Sequence, residues 1–277
     1  MPAPPATPAS PRLGLAFRWM IDLHSHVLPG LDDGPETLAD SLELARAALA
    51  AGTHTLVATP HLNRLYDVDA AIATEAVAKL RERLTSEGIE LELLLGAEIA
   101  VDRLASMSEA ELHALRLGGG PYLLIESPLS SGVRVLSRAV RRLNAEGHRV
   151  LLAHPERCPG FQRDPDALRA LVAEGALCSI TAGALEGRFG GIARRFALTL
   201  LREGLVHDVA SDAHDAHRRS PDMRPGLTAA AAELPGAQRQ IEWLTERAPA
   251  AILAGDPLPP RPPLEPRGWR RRLLGRP

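Results

Sequence analysis

Cysteine and lysine are the scarcest reactive side chains in this 277-residue chain: two of the first, Cys158 and Cys178, and one of the second, Lys79. Two cysteines make no disulfide framework, and a reducing cytoplasm is the expected setting. Neither thiol reads as a phosphatase nucleophile. That chemistry needs an arginine six positions on, in a glycine-rich loop that opens a helix. Cys158 has Asp164 there and Cys178 has Ala184. No apolar run is long enough to span a bilayer. The first residues lack the charged start and apolar stretch of a signal peptide. A net charge of −2 supplies no global field toward nucleic acid, and no basic stripe surrounds the motifs below.

An apolar share of 45% is enough for a sizeable core. Residues 1–19 are rich in Pro and Ala and read as a disordered extension. Met20 opens the first predicted strand, so either it is the true start or the extension is a real tail. From Gly255 the chain turns Pro-rich and then basic, through Trp269, Arg270, Arg271, Arg272, Leu273 and Leu274. That tail, 255–277, reads as disordered, and a solvated tail is favoured over contact with an anionic membrane or a partner.

Between the tails, strand-like and helix-like runs alternate. Strands are predicted at Met20–His24, Thr55–Thr59, Leu91–Leu95, Tyr122–Glu126, Val150–Ala153, Leu177–Thr181 and Val206–Ala210. Helices are predicted over Glu36–Ala51, Val68–Glu87, Val133–Glu146, Pro165–Glu174 and Ile192–Glu203. The last three each stop at a glycine (Gly147, Gly175, Gly204) before the next apolar run. Seven strand-helix units imply parallel strands with right-handed crossovers, and a closed or nearly closed barrel is the simplest packing. Working residues in such barrels sit at the C-terminal strand ends.

Nine metal-capable side chains follow their apolar runs in that way: His24, His26, Asp33, His61, Glu98, Glu126, His154, Asp212 and His214. Imidazole mixed with carboxylate suits divalent Mn, Fe or Zn. Nine ligands are too many for one ion, so the set reads as a multinuclear centre for metal-assisted hydrolysis. Each residue alone is more often structural; their ordered placement at strand ends is what carries the reading. An aspartyl-phosphate site would want Asp-x-Asp-x-Thr/Val after a strand. Asp67-Val68-Asp69-Ala70-Ala71 fails the last position and reads as a helix cap. Enzymes with a carbamylated Lys hold it at a strand end, whereas Lys79 falls inside a predicted helix. Glu156 reads as a local partner of Arg157, His54 and His148 as surface or turn residues, and His207 as a core or ligand-orienting residue. Asp22 is a candidate for supporting a ligand from behind, and composition leaves Asp32 and Asp33 undivided.

The opening segment through Leu28-Pro29-Gly30-Leu31-Asp32-Asp33-Gly34, with Ala58-Thr59-Pro60-His61, Gly96-Ala97-Glu98, Ala153-His154-Pro155-Glu156-Arg157 and Ser211-Asp212-Ala213-His214, closely resembles the PHP (polymerase and histidinol phosphatase) superfamily. Within it, the likeness is to the metal-dependent protein-tyrosine phosphatases of bacterial capsule and exopolysaccharide operons, over residues 20–254. That resemblance implies a distorted seven-stranded (β/α) barrel and two to three ions, manganese first, with Fe or Zn as alternatives. It carries all nine ligands, prefers Asp33 to Asp32, and adds Arg157 and, ahead of Arg218, Arg219 as phosphate holders. Glu98 is the expected bridging carboxylate, with attack by a metal-held hydroxide, and His214 or His61 is placed to assist the leaving tyrosine oxygen. The implied substrate is a phosphotyrosine protein, the tail of a membrane-associated tyrosine autokinase, with a homo-oligomer left open. A small-molecule phosphatase such as one for histidinol phosphate, and a non-catalytic kinase-binding regulator, are the alternatives.

Overall fold

The structure, a computed structural model, describes residues 19–129 and 132–265. The extension 1–18 and the basic run after Glu265 lie outside the described residues. Strands and helices alternate as the apolar periodicity predicts. The first unit is β1 (Met20–Ser25), α1 (Leu38–Ala51) and β2 (Thr53–Ala58). Thr37 and Asp40 form a reciprocal cap at the start of α1, which satisfies donors that have no partner within the helix. A short β3 (His61–Leu62) precedes α2 (Ala70–Ser86), whose first turn is capped by the Asp69 carboxylate. Then come β4 (Glu92–Leu95), β5 (Glu98–Ile99), α3 (Glu109–Ala114), β6 (Tyr122–Glu126), α4 (Val133–Ala145) and β7 (Arg149–Ala153). The chain continues through α5 (Pro159–Arg163), α6 (Pro165–Ala173), β8 (Leu177–Thr181), α7 (Ala182–Glu186), α8 (Gly190–Glu203) and β9 (Asp208–Ala210). Helices α9 (Arg224–Glu233) and α10 (Ala248–Ala254) close the domain.

Among the described residues all strand pairs are parallel, but nine strands form where seven were expected, in two sheets ordered β1-β2-β4 and β3-β5-β6-β7-β8-β9. Two expected strands, Thr55–Thr59 and Leu91–Leu95, are each followed across a break by a short further strand. At Thr59–Pro60 the proline has no N–H to continue the ladder. At Gly96–Ala97 the bend brings backbone so close that a Cβ on Gly96 would lie 2.8 Å from Leu117 and 2.9 Å from Val57. Hydrogen bonds still cross the bends, from Gly96 N to Ala58 O (2.9 Å) and from Glu98 N to Pro60 O (3.1 Å). At the other edge β1 meets the end of β9: His26 N donates to Ala213 O (2.8 Å) and Asp212 N donates to His24 O (2.9 Å). Apolar faces of the helices cover the strands. On α4, Leu136, Val140 and Leu143 are buried at helical spacing while the arginines face out.

The described stretch beyond Gly255 is extended and pinned to the domain. Trp243 Nε1 donates to Pro259 O (2.9 Å), Arg261 stacks over the Trp243 ring, and Glu265 N donates to Pro235 O (2.8 Å). One expectation for a histidine is corrected. His148 is buried, held between Glu109 (3.0 Å) and Arg116 (3.1 Å), because its strand starts beneath α3. His207 accepts from Cys178 N (3.1 Å) ahead of β9 and touches no candidate ligand. Among the described residues, no helix is long and apolar enough to cross a membrane.

Candidate metal and phosphate site

Loop and strand ends converge on Glu98. Its carboxylate, on β5 and 1% exposed, faces four imidazoles: His154 Nε2 at 2.6 Å, His61 Nδ1 at 3.0 Å, His24 Nε2 at 3.2 Å and His26 Nε2 at 3.4 Å. Burial alone would push its pKa up, but the imidazoles of His24 and His154 override this and hold it well below the carboxylate range. Asp212 is the second hub. Its Oδ1 lies 3.4 Å from His26 Nε2 and 3.6 Å from His24 Nε2, and its Oδ2 accepts from Arg157 Nη1 (2.8 Å) and Arg219 Nη2 (2.7 Å). Burial again opposes the charge, and His24, His26 and Arg219 keep the carboxyl well below its ordinary pKa.

Three groups have donor atoms close enough to share a cation: His26, Asp33, His61 and His214; His24, His26 and Asp212; and His61, Glu98 and Glu126. His26 and His61 each belong to two groups, so the groups adjoin. The donor set fits divalent cations on a further count. Among the described residues, buried His154 Nδ1 has no hydrogen-bond partner, and His61 Nδ1, Glu98 Oε2 and His214 Nε2 face one another, His24, His26 or Asp33 without an aligned hydrogen bond. Buried polar atoms are rarely left so. His24 Nε2 and His26 Nε2 also face each other at 3.2 Å, as two lone pairs aimed at one ion would. His154 stands outside the three groups and meets the site through Glu98 and by stacking on the His24 ring. The other eight expected ligands fall within them.

Backbone and side-chain partners aim these rings. Asp32 and Asp33, undivided by composition, separate cleanly. Asp32 Oδ2 holds His26 Nδ1 (2.7 Å) and accepts from His61 N (2.9 Å), and its Oδ1 accepts from Gly34 N (3.0 Å). Fixing Nδ1–H on Asp32 leaves Nε2 of His26 with its lone pair toward the centre. Asp33 instead points its Oδ1 at His214 Nε2 (3.2 Å) and His61 Nε2 (3.5 Å). The turn carrying both requires Gly34, since a Cβ there would lie 2.2 Å from His26 O. His214 Nδ1 donates to Asp212 O (2.9 Å), leaving its Nε2 as an acceptor. His154 and Asp212 hold left-handed backbone (φ 34° and 54°), a strained geometry found where function demands it.

The arginines divide in the same way. Arg219 reaches Asp212, whereas Arg218 is exposed and only its backbone N–H is engaged, by Asp215. The Arg157 guanidinium carbon lies over the Phe189 ring, 4.2 Å from its centre. Phe189 and Tyr66, the latter stacked within 8° of the His61 ring, were not foreseen, and no spacing in the sequence marks them. Glu156 is a correction: it does not pair with Arg157. Its Oε1 accepts from Thr181 N (3.0 Å), because consecutive residues of the turn at Pro155–Arg157 face different ways. Glu126 is half-buried, and burial and then Glu98 raise its pKa to about 7. Cys158 and Cys178 are buried away from the centre, with thiol pKa values pushed up by burial.

Residues 20–253 match the family model described as capsular polysaccharide synthesis, CpsB/CapC. The tyrosine-protein phosphatase YwqE of Bacillus subtilis (strain 168) is 40% identical over 202 residues, covering 73% of this chain and 80% of that protein. Tyrosine-protein phosphatase CpsB of Streptococcus pneumoniae is 28% identical over 213 residues, 74% of this chain and 87% of that one. A crystal structure from work on YwqE from B. subtilis and CpsB from S. pneumoniae, described as unique metal-dependent tyrosine phosphatases, superposes with a TM-score of 0.76 at 34% identity. It covers 90% of this chain and 100% of that one. A dihydropyrimidinase from Brevibacillus agri shares the fold alone, at 13% identity and a TM-score of 0.56. The chain belongs to the CpsB/CapC family of capsular polysaccharide synthesis.

Proposed function

We propose that this chain is a metal-dependent protein-tyrosine phosphatase acting in capsule or exopolysaccharide synthesis. One observation carries the reading: three adjoining ligand groups share His26 and His61 around Glu98, and two guanidinium groups flank the same centre. Relatives at 28–40% identity bear the name of that activity. When bound, two to three divalent ions, manganese first, would cancel phosphate charge and make water acidic near neutral pH. The domain taken to do this spans 20–254. Counting each broken strand once gives seven parallel runs, joined at His24–His26 and Asp212–Ala213, which supports a distorted barrel.

In this reading His24, His26, Asp33, His61, Glu98, Glu126, His154, Asp212 and His214 would hold the ions, and Glu98, which faces four of the imidazoles, would be the carboxylate they share. Arg157 and Arg219 present N–H groups to the phosphoryl oxygens, where charge spreads as the P–O bond lengthens. Their present partner, Asp212 Oδ2, keeps both forks pointed at the centre. Phe189 packs against the Arg157 guanidinium and supports it from one side. Tyrosine oxygen leaves readily as phenolate, so proton donation by His214 or His61 is an aid rather than a requirement. The natural substrate is a phosphotyrosine protein, for which the tail of a membrane-associated autokinase is the candidate, met in the cytoplasm.

Turnover of a phosphotyrosyl peptide, p-nitrophenyl phosphate and histidinol phosphate, after chelation and on adding back Mn, tests this. Metal-restored activity on the first two, well above the third, is the expected result. Preference for histidinol phosphate would overturn the protein-phosphatase reading. Undiminished activity after complete metal removal would overturn the metal.

A further inference from the structure

The mouth of the candidate centre does not end at Glu126. A cavity of about 370 Å³ opens beside that carboxylate, between the segment after β5 and the start of α4. Val101, Leu129 and Val135 make its apolar walls. Leu129 and Val135 are more than half exposed and stand side by side in this one cavity, so they make a paired apolar surface. Val101 and Val135 also line a second cavity of about 220 Å³, which continues along α4 past Leu104, Ala139 and Leu143 to Arg138 and Arg142. The two cavities adjoin across the shared wall of Val101 and Val135, and together make a groove that is acidic at Glu126 and Asp102, apolar at that wall and basic at Arg138 and Arg142.

Helix α4 shapes that gradient. It carries Arg134, Arg138, Arg141 and Arg142 and not one acidic residue. Arg141 is occupied by Glu174 and Arg142 by Glu146. Among the described residues, Arg134 and Arg138 have no carboxylate partner. The residues facing the groove, Val135, Arg138, Ala139, Arg142 and Leu143, recur at three- and four-residue spacing and so lie on one helix face. From Val135 to Leu143 the helix rises about 12 Å, which an extended chain covers in about four residues.

We infer that this groove holds the polypeptide on one side of the substrate phosphotyrosine, seating an apolar side chain against Val101 and Val135 and an acidic one on Arg138. The inference rests on the phosphatase reading above and names the substrate class within it: an extended phosphotyrosyl segment whose flank is apolar near the phosphotyrosine and acidic further out. Continuity with Glu126 says why the occupant is attached to the reacting phosphate, and the uncompensated arginine says what charge it carries.

Phosphotyrosyl peptides that are otherwise Gly and Ser, with one Glu moved stepwise away from the phosphotyrosine on either side, test this. The readout is kcat/KM for each peptide divided by that for p-nitrophenyl phosphate in the same Mn-loaded preparation. The ratio is expected to peak about tenfold at one Glu position on one side only, and to flatten as salt is raised. With Arg138→Glu the peak is expected to vanish, and to return when that Glu of the peptide is replaced by Lys. A flat scan, or a peak that survives Arg138→Glu with no rescue by Lys, overturns the groove. Loss of p-nitrophenyl phosphate and peptide turnover alike in the unsubstituted protein would instead overturn the phosphatase reading, so the two failures are distinguishable.

Discussion

Two sets of buried acids share the interior of this fold and ionise in opposite ways. Glu98 and Asp212, at strand ends, meet imidazoles and guanidinium groups and stay charged well below the ordinary range. Asp22 and Asp208, which lie on β1 and β9 ahead of His24 and Asp212, are just as buried. Asp22 Oδ1 accepts from His24 N (3.2 Å) and Ser211 N (3.1 Å), and the Ser179 hydroxyl donates to Asp208. Burial dominates there: Asp22 rises to about 6, and Asp208, also facing Asp22, is pushed well above its usual value. Burial alone therefore does not set charge; cationic partners do, and the chain places them only at the mouth. Glu98 and Asp212 are available to cations, whereas Asp22 and Asp208 tie backbone together. Asp22 links His24 on β1 to Ser211 after β9, and so braces the junction that brings His24 and Asp212 together.

The contrast breaks first at Glu98. Glu98→Gln keeps the shape and removes the charge that four imidazoles share. By analogy with unpairing a buried ion, about 3–5 kcal/mol of cation binding should go, a hundredfold or more in metal affinity. Metal content after dialysis against graded chelator measures it, and retention equal to the parent protein would contradict the hub role.

The second set is probed by pH. Asp22 binds a proton more tightly folded than unfolded, its pKa moving from 3.8 to about 6. Its stabilising effect is thus fully present below pH 3.8 and is lost as pH rises through about 6, a loss of roughly 3 kcal/mol at 1.36 kcal/mol per unit. Asp22→Asn keeps the accepting oxygen and cannot ionise. In metal-free protein, its denaturant midpoint should gain on the parent's between pH 4 and 7. A constant difference across that window would refute the assignment.

Asp32→Ala leaves His26 Nδ1 without its partner while keeping every candidate ligand. A loss of about 10- to 100-fold in metal affinity is expected, smaller than for Glu98→Gln. The same loss from Asp33→Ala with none from Asp32→Ala would reverse their roles. At the phosphate side, Arg219→Ala should cost kcat/KM about tenfold, as one charged hydrogen bond, while Arg218→Ala stays within about twofold. Steady-state rates on p-nitrophenyl phosphate separate the pair, and equal effects would undo the distinction drawn from Asp212.

Much of this was legible in the residues, and the limits have physical causes. Strands at Tyr122–Glu126 and Leu177–Thr181 coincide with their apolar runs, since buried parallel strands are continuous apolar runs. The breaks at Thr59–Pro60 and Gly96–Ala97 did not stand out. A proline after an apolar run reads as a strand end, and only the ladder shows that β3 resumes beyond it beside β5. Helices α5, α7 and α9 are short or Ala-rich, with too little periodicity to announce themselves. Glu156 seemed a partner for Arg157 because adjacency is all a sequence offers; the turn sends its carboxylate to Thr181 instead.

Residue type and strand-end position are local properties, so the chain by itself determined the donor chemistry, the order of the nine side chains and the parallel α/β architecture. Direction is not local. Whether Asp32 or Asp33 faces the cluster, whether Arg218 or Arg219 reaches Asp212, and whether a groove leads away from Glu126 along α4 depend on how loops close against strands distant in sequence. Neighbouring residues of like chemistry differ only in where their side chains point, and the packing of the whole fold sets that.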